Sequence, residues 1–117
     1  MDGMTMDFKI QTLLRQEDGW WVLQCLEYDI AAYGKRISEA IESFKNTFTG
    51  QVILDVKNGK EPLSGIGRAP EKYWDEFNSD ECYAFNGKQD LSFTGKTSLP
   101  PGMMIPPVEI IESRLCA

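Results

Sequence analysis

Hydrophobic and polar residues alternate from Asp7 to Gln16, where "DFKIQTLLRQ" puts Phe8, Ile10, Thr12 and Leu14 on one side and Lys9, Gln11, Leu13 and Arg15 on the other. A period of two is the mark of a strand. Glu17, Asp18 and Gly19 follow with turn chemistry, Gly19 being able to take the left-handed conformation of a three-residue hairpin loop. Trp20 to Glu27 then returns as a second strand. With Gln16 facing Trp20, the register sets Leu14 against Val22, Leu13 against Leu23 and Lys9 against Glu27, so apolar meets apolar and opposite charges meet. This second strand is apolar on both faces, with Trp20, Val22 and Leu26 on one and Trp21, Leu23 and Cys25 on the other. Such a strand is central in its sheet, or turns one face to a partner.

"EYDIAAYG" leads into a short third strand around Ile30 to Tyr33, ended by Gly34. A helix follows, with Ser38 as its N-cap and Glu39 in the first turn, where a carboxylate suits the positive end of the helix dipole. Ile37, Ala40, Ile41, Phe44, Phe48 and Val52 recur every three or four residues, which places them on one helical face, and Asn58 and Gly59 form a stop. The spacing predicts one helix to Lys57. Gly50, at ~1 kcal/mol relative to alanine, and the β-branched Val52, Ile53 and Val56 weaken its second half, and a strand over Gln51 to Val56 is the alternative. "GKEPLSGIGRAP" reads as a loop, and Pro70 opens a short helix, "PEKYWDEF", whose Tyr73, Trp74 and Phe77 fall on one side, against the sheet edge or the main helix.

Beyond Phe77 the pattern loosens. A hairpin between "CYAF" and "LSF" around Asn86-Gly87 is expected, then an extended "LPPGMMIPP", then "VEIIESRL" as a strand at a sheet edge, in its own chain or a neighbouring one. The fold class is α+β: a small antiparallel sheet of three or more strands packed by one long helix, with a short second helix. Residues 1–78 form the αβ domain and residues 79–117 an irregular Pro/Gly-rich tail with a C-terminal strand.

The chain has 117 residues, 42% of them hydrophobic and 26% charged, which is ordinary globular composition. Its net charge is −6 and no basic block occurs, so direct binding to nucleic acid is not expected. Acidity suits docking on a basic surface. The start, "MDGMTMDFKI", lacks the basic segment and apolar run of a signal peptide, and no apolar stretch reaches the length of a membrane span. A cytoplasmic protein is expected.

Candidate chemistry is sparse. Histidine is absent, so no Ser-His or Cys-His pair exists. Cys25, in mid-strand, reads as a small core residue. Cys82 and Cys116 read as ordinary thiols, either of which can bridge to another chain on oxidation, and no C-x-x-C motif is present. Glu27, Asp29 and Glu39 are the only carboxylates that suggest a divalent metal site, but the first two flank a strand end while the third begins a helix, so solvated charges are the plainer account. "SGIGRA" neither follows a strand nor opens a helix with a lysine, and reads as a turn. Trp20 and Trp21, without basic neighbours, read as core and interface residues rather than a platform for bases.

A strand, an acid-Gly turn, an aromatic strand closing in "CLEYDIAAYG" and a helix opening "ISEAIESF" together resemble the N-terminal domain of HicB-like antitoxins. Asp18, Gly19, Trp20, Trp21, Gly34, Ser38, Glu39 and Ala40 occupy the places of that family's pattern. "GKEPL" and "APEKYWDEF" are similar to stretches of small bacterial and phage proteins of HicB-like type. The resemblance spans residues 6–78. It implies a partial RNase H-like fold, homodimers or higher oligomers, and a small basic toxin as partner. Two departures stand out: residues 79–117 carry no helix-turn-helix or ribbon-helix-helix pattern, and the RNase H carboxylates have no matching positions. The expectation is therefore a non-enzymatic, antitoxin-like protein-binding module without cofactor or metal, with Trp20, Glu27, Tyr28, Asp29, Ile110 and Ile111 as its contact residues. The alternatives are an inhibitor or ligand-sequestering protein in phage–host conflict, and a metal-dependent nuclease using Glu27, Asp29 and Glu39.

Overall fold

The computed structural model describes residues 8–84 and 108–116. Strands β1 (Phe8–Glu17) and β2 (Trp20–Cys25) form an antiparallel hairpin whose loop is Asp18-Gly19, with φ of 52° and 82°. Positive φ at both central residues belongs to the type I′ turn, for which Asp-Gly is a favoured pair. The loop is thus two residues long rather than three, and the register moves by one: Glu17 faces Trp20, Leu14 faces Leu23 and Leu13 faces Gln24. Glu27 therefore does not face Lys9. Strand β3 (Ala31–Gly34) pairs antiparallel with β2, setting Tyr33 opposite Val22 and Gly34 opposite Trp21.

The last strand corrects the expected all-antiparallel sheet. β4 (Cys82–Ala84) pairs antiparallel with β5 (Val108–Cys116), and β5 runs parallel to β1, giving a mixed five-stranded sheet ordered β3-β2-β1-β5-β4. "VEIIESRL" is therefore an interior strand of its own chain's sheet rather than an edge strand. The C-terminal strand thereby joins the same sheet as the first domain. Between Ile10↔Ile110 and Gln11↔Glu112 the register slips, leaving Ile111 as the extra residue of a bulge. "CYAF" contributes β4, whose partner is β5. "LSF", the Asn86-Gly87 turn and "LPPGMMIPP" lie outside the described residues.

Helix α1 (Ile37–Lys57) is unbroken across Gly50, and no strand forms at Gln51 to Val56. Its burial of Ala40, Ile41, Phe44, Phe48 and Val52 follows the periodicity of those residues. The cap differs from expectation. Arg36 holds the extended N-cap position, and Glu39, three residues on, accepts the backbone N–H groups of Lys35 and Arg36 on its Oε1, each at 3.0 Å. A glutamate reaching back in this way satisfies donors that the helix leaves open. Ser38 lies inside the first turn. At the far end Asn58 is the C-cap and Gly59 takes φ of 72°.

One face of the sheet carries Phe8, Ile10, Leu14, Leu23, Cys25, Ala32, Val108 and Ile110 against Ile41, Phe44, Phe48 and Val52 of α1. Within the sheet the buried Thr12 and Ser113 hydroxyls bond each other at 2.9 Å, so neither is left unpaired. The other face is half covered. Helix α2 (Glu71–Phe77) brings Phe77, Tyr73 and Trp74 onto Leu13, Leu26, Cys82 and Cys116. Arg114 ties this layer together, donating to the carbonyls of Phe77 and Cys82. Cys82 and Cys116 face each other across β4 and β5, with Cα atoms 4.2 Å apart, and form a disulfide. The expectation of two free thiols is corrected by this register: a directly opposed antiparallel pair brings the two Cβ atoms within bridging reach.

Candidate functional site

Alternation fixes what the uncovered half of the second face contains. Leu23 and Cys25 point to α1, so Trp20 and Val22 point away from it, and Tyr33, paired with Val22, joins them. The two-residue turn completes the site by placing Glu17 directly opposite Trp20 and Asp18 beside it. These five residues line a groove of about 370 Å³. Trp20 is 42% and Tyr33 60% exposed, while Val22, at 6%, is its floor. Large aromatic rings left open beside a buried aliphatic floor are characteristic of a binding surface.

Charge frames the groove on two sides. The Lys35 Nζ lies 3.9 Å from the centroid of the Trp20 ring. Arg15, opposite Val22, approaches Glu17 Oε2 with Nη1 at 3.6 Å and Glu76 Oε2 with Nε at 3.5 Å. That second contact joins β1 to α2, so the helix borders the uncovered region. Nothing in the groove pairs a nucleophile with a base.

The expected contact residues do not form one surface. Trp20 lies in the groove, whereas Glu27, Tyr28 and Asp29 lie past the opposite end of β2, a strand of six residues, or roughly 20 Å, away. Glu27 Oε1 accepts the Gln11 backbone N–H at 2.7 Å. Asp29 Oδ1 accepts from the Gln24 side-chain amide at 3.0 Å, and the Asp29 N–H donates to the Gly67 carbonyl at 2.8 Å. Tyr28 packs edge-on against Phe8 and Phe48, with ring centroids 5.9 and 6.3 Å apart, and its phenol pKa is raised by burial, with smaller contributions from Cys25 and Glu27. Ile110 is a core residue at 4% exposure and cannot meet a partner, a correction that follows from its pairing with Ile10 on the sheet face packed against α1. Ile111, displaced outward at the bulge, is 51% exposed.

Glu27, Asp29 and Glu39 thus each serve a separate hydrogen-bonding task, at the hairpin's end, in the loop before β3 and at the start of α1. Among the described residues no group of three or more His, Cys, Asp or Glu is placed to hold a metal ion. Cys25 is free and buried, and burial pushes its thiol up to about 12, far from a reactive thiolate. No described helix is long and apolar enough to cross a membrane.

Sequence reasoning missed Glu17, Asp18, Val22, Tyr33 and Lys35 as one site. The missing signal was the hairpin register. A two-residue Asp-Gly loop, continued by alternation into β3, brings all five to one side of the sheet. Asp55 was also missed. Only 8% exposed, it accepts the Leu63 N–H on Oδ2 at 2.7 Å and the Gln51 amide on Oδ1 at 3.0 Å, pinning the loop after α1.

Comparison of the chain with protein-family models, with curated proteins and with solved structures gives no match.

Proposed function

We propose that this chain is a non-enzymatic protein-binding module, HicB-like and antitoxin-like, that acts as an oligomer and restrains a basic partner protein. The observation that supports this reading is the groove: aromatic walls, an aliphatic floor and a carboxylate rim on the half of the sheet that α2 leaves open. Anchors of this kind, an indole and a phenol beside a buried floor, supply most of the energy of protein interfaces. The net charge of −6 favours encounter with a basic surface. The acids considered for a nuclease, Glu27 and Asp29 past the other end of β2 and Glu39 at the start of α1, accept hydrogen bonds from backbone and amide donors.

A cytoplasmic setting belongs to the same reading. There the Cys82–Cys116 bridge meets a reducing pool, and the burial of both residues, at 4% and 2% exposure, slows thiol attack. A second reading, sequestration of a small ligand, is favoured by a groove volume of about 370 Å³, within the usual range of small-molecule sites.

Affinity capture on the full chain, with light scattering of the eluted complex, tests the proposal. A basic protein should co-elute with an oligomer of the chain, leave as salt rises, and be lost in a Tyr33→Asp variant. Capture of no basic protein, or capture indifferent to Tyr33→Asp, contradicts it. Retention of a small molecule that is lost in the same variant would favour the second reading.

A further inference from the structure

Lys35 borders the groove at the Trp20 ring. The residue follows β3 directly, and the β2–β3 register carried one step further sets it opposite Trp20, on the same side of the sheet as Tyr33. Its ammonium lies 3.9 Å from the Trp20 ring centroid, inside the distance at which the negative face of an indole attracts a cation. Lys35 is exposed, and so are Glu17 and Asp18 on the opposite side of the groove. The site therefore combines an indole, a phenol and two carboxylates, of which Glu17 is shared with Arg15 at 3.6 Å, and among the described residues the cation on the indole is the flexible side chain of Lys35.

We infer that the groove is a receptor for one lysine or arginine side chain of a basic protein, which takes the place of Lys35 on the Trp20 ring. Its aliphatic stem lies on Val22, Tyr33 forms the second aromatic wall, and the carboxylates of Glu17 and Asp18 meet the charge. Long basic side chains suit such a site because the stem is apolar and only the tip is ionic. A protein side chain fits better than a free organic cation. With Trp20 and Tyr33 so open to water, the site returns little energy to an isolated ion, whereas a docked protein holds its side chain in place at little further entropic cost. The assignment rests on the docking reading above and specifies what that surface recognises.

The test needs no identified partner. A short lysine–glycine peptide with blocked ends is titrated into the full chain while the Trp20 indole N–H is followed by NMR, against the same peptide with norleucine for lysine. The lysine peptide should shift the Trp20 signal saturably and the norleucine peptide should not. Read by titration calorimetry, which needs no indole signal, Lys35→Met should tighten lysine-peptide binding and Trp20→Leu should weaken it, each by about two- to fivefold, the range of an exposed cation–π contact. In a Trp20→Leu background Lys35→Met should give no gain, which separates release of the indole from a general change of charge. Glu17→Gln and Lys35→Met, both at exposed positions, keep the test valid should Trp20→Leu disturb the hairpin.

Equal binding of the norleucine peptide overturns the inference, although a docking surface for apolar groups would survive. Lysine-peptide binding that is unchanged by Trp20→Leu, Lys35→Met and Glu17→Gln also overturns it, by locating the cation elsewhere on the acidic surface.

Discussion

Gly34→Ala is the sharpest perturbation the fold offers, because β3, which carries Tyr33, ends where α1 begins. A Cβ built at position 34 meets the Ala40 amide nitrogen and comes within 2.7 Å of both the carbonyl carbon and the Cβ of Glu39. Ordinary contacts of this kind need about 3.5 Å or more, so strand and helix must part by roughly 1 Å. Neither can move freely. Four register pairs bind β3 to β2, and the buried Ile41, Phe44 and Phe48 hold α1 to the sheet. Overpacking against immobile backbone costs typically ~1–3 kcal/mol, and the absence of any flexible side chain end at the contact argues for the top of that range. For a chain of this size, ~3 kcal/mol lowers the midpoint by about 12 °C. Gly50→Ala is the matched control. Gly50 sits in mid-helix with nothing within 4 Å of an added Cβ, so alanine should stabilise by about 0.5–1 kcal/mol, or roughly 2–4 °C. Calorimetric melting of both variants against the parent gives the answer. A Gly34→Ala protein as stable as the parent, or the same sign for both variants, would refute the close approach of β3 to α1.

Three further outcomes follow from the buried interactions. Asp55→Ala strands the Leu63 N–H and should cost ~1–3 kcal/mol in urea unfolding, with Asp55→Asn losing less because an acceptor remains; equal losses would show that the bond to Leu63 matters little. Replacing Cys82 and Cys116 together by serine opens a loop spanning 34 residues, a loss of about 4 kcal/mol on chain-entropy grounds. Unfolding of the parent in dithiothreitol should approach that of the double variant, and a parent midpoint unmoved by reductant would mean that the bridge contributes nothing. Cys25, with its pKa raised by burial from 9.0 to about 12, keeps its proton longer in the folded chain than in the unfolded one. Its contribution to stability is whole below pH 9 and is lost as pH rises towards 12, so a Cys25→Ala variant should show a flatter stability curve across that window.

Helix α1 was legible because its apolar residues repeat with a single period and Gly50 interrupts none of them. The hairpin was legible in kind but not in register. A three-residue loop needs only Gly19 left-handed, whereas Asp18 also takes positive φ, and a slip of one residue changes every cross-strand partner. Glu39 marked the start of α1 correctly, but its reach back to Lys35 and Arg36 moved the cap two residues before Ser38. The apolar character of both faces of β2 has a plain physical origin: one face packs on α1, the other floors the groove and abuts the layer under α2. Nothing local to "VEIIESRL" indicates parallel pairing with β1. That choice is set by contacts about a hundred residues apart in sequence, as is the Thr12–Ser113 bond, so the core position of Ile110 and the Cys82–Cys116 pairing stayed hidden.

The proposed docking function requires that a basic protein be recognised by the groove at the hairpin end of β2 and not by the acids at its other end. Titration calorimetry with a basic protein obtained in the affinity capture proposed above decides this when done on three forms, the parent, Trp20→Leu, and a Glu27→Gln/Asp29→Asn double variant that keeps an acceptor at each position. Trp20→Leu should cost about 2 kcal/mol or more, the size expected of an interface anchor, while the double variant binds as the parent does. Affinity lost in the double variant and kept in Trp20→Leu would contradict the account.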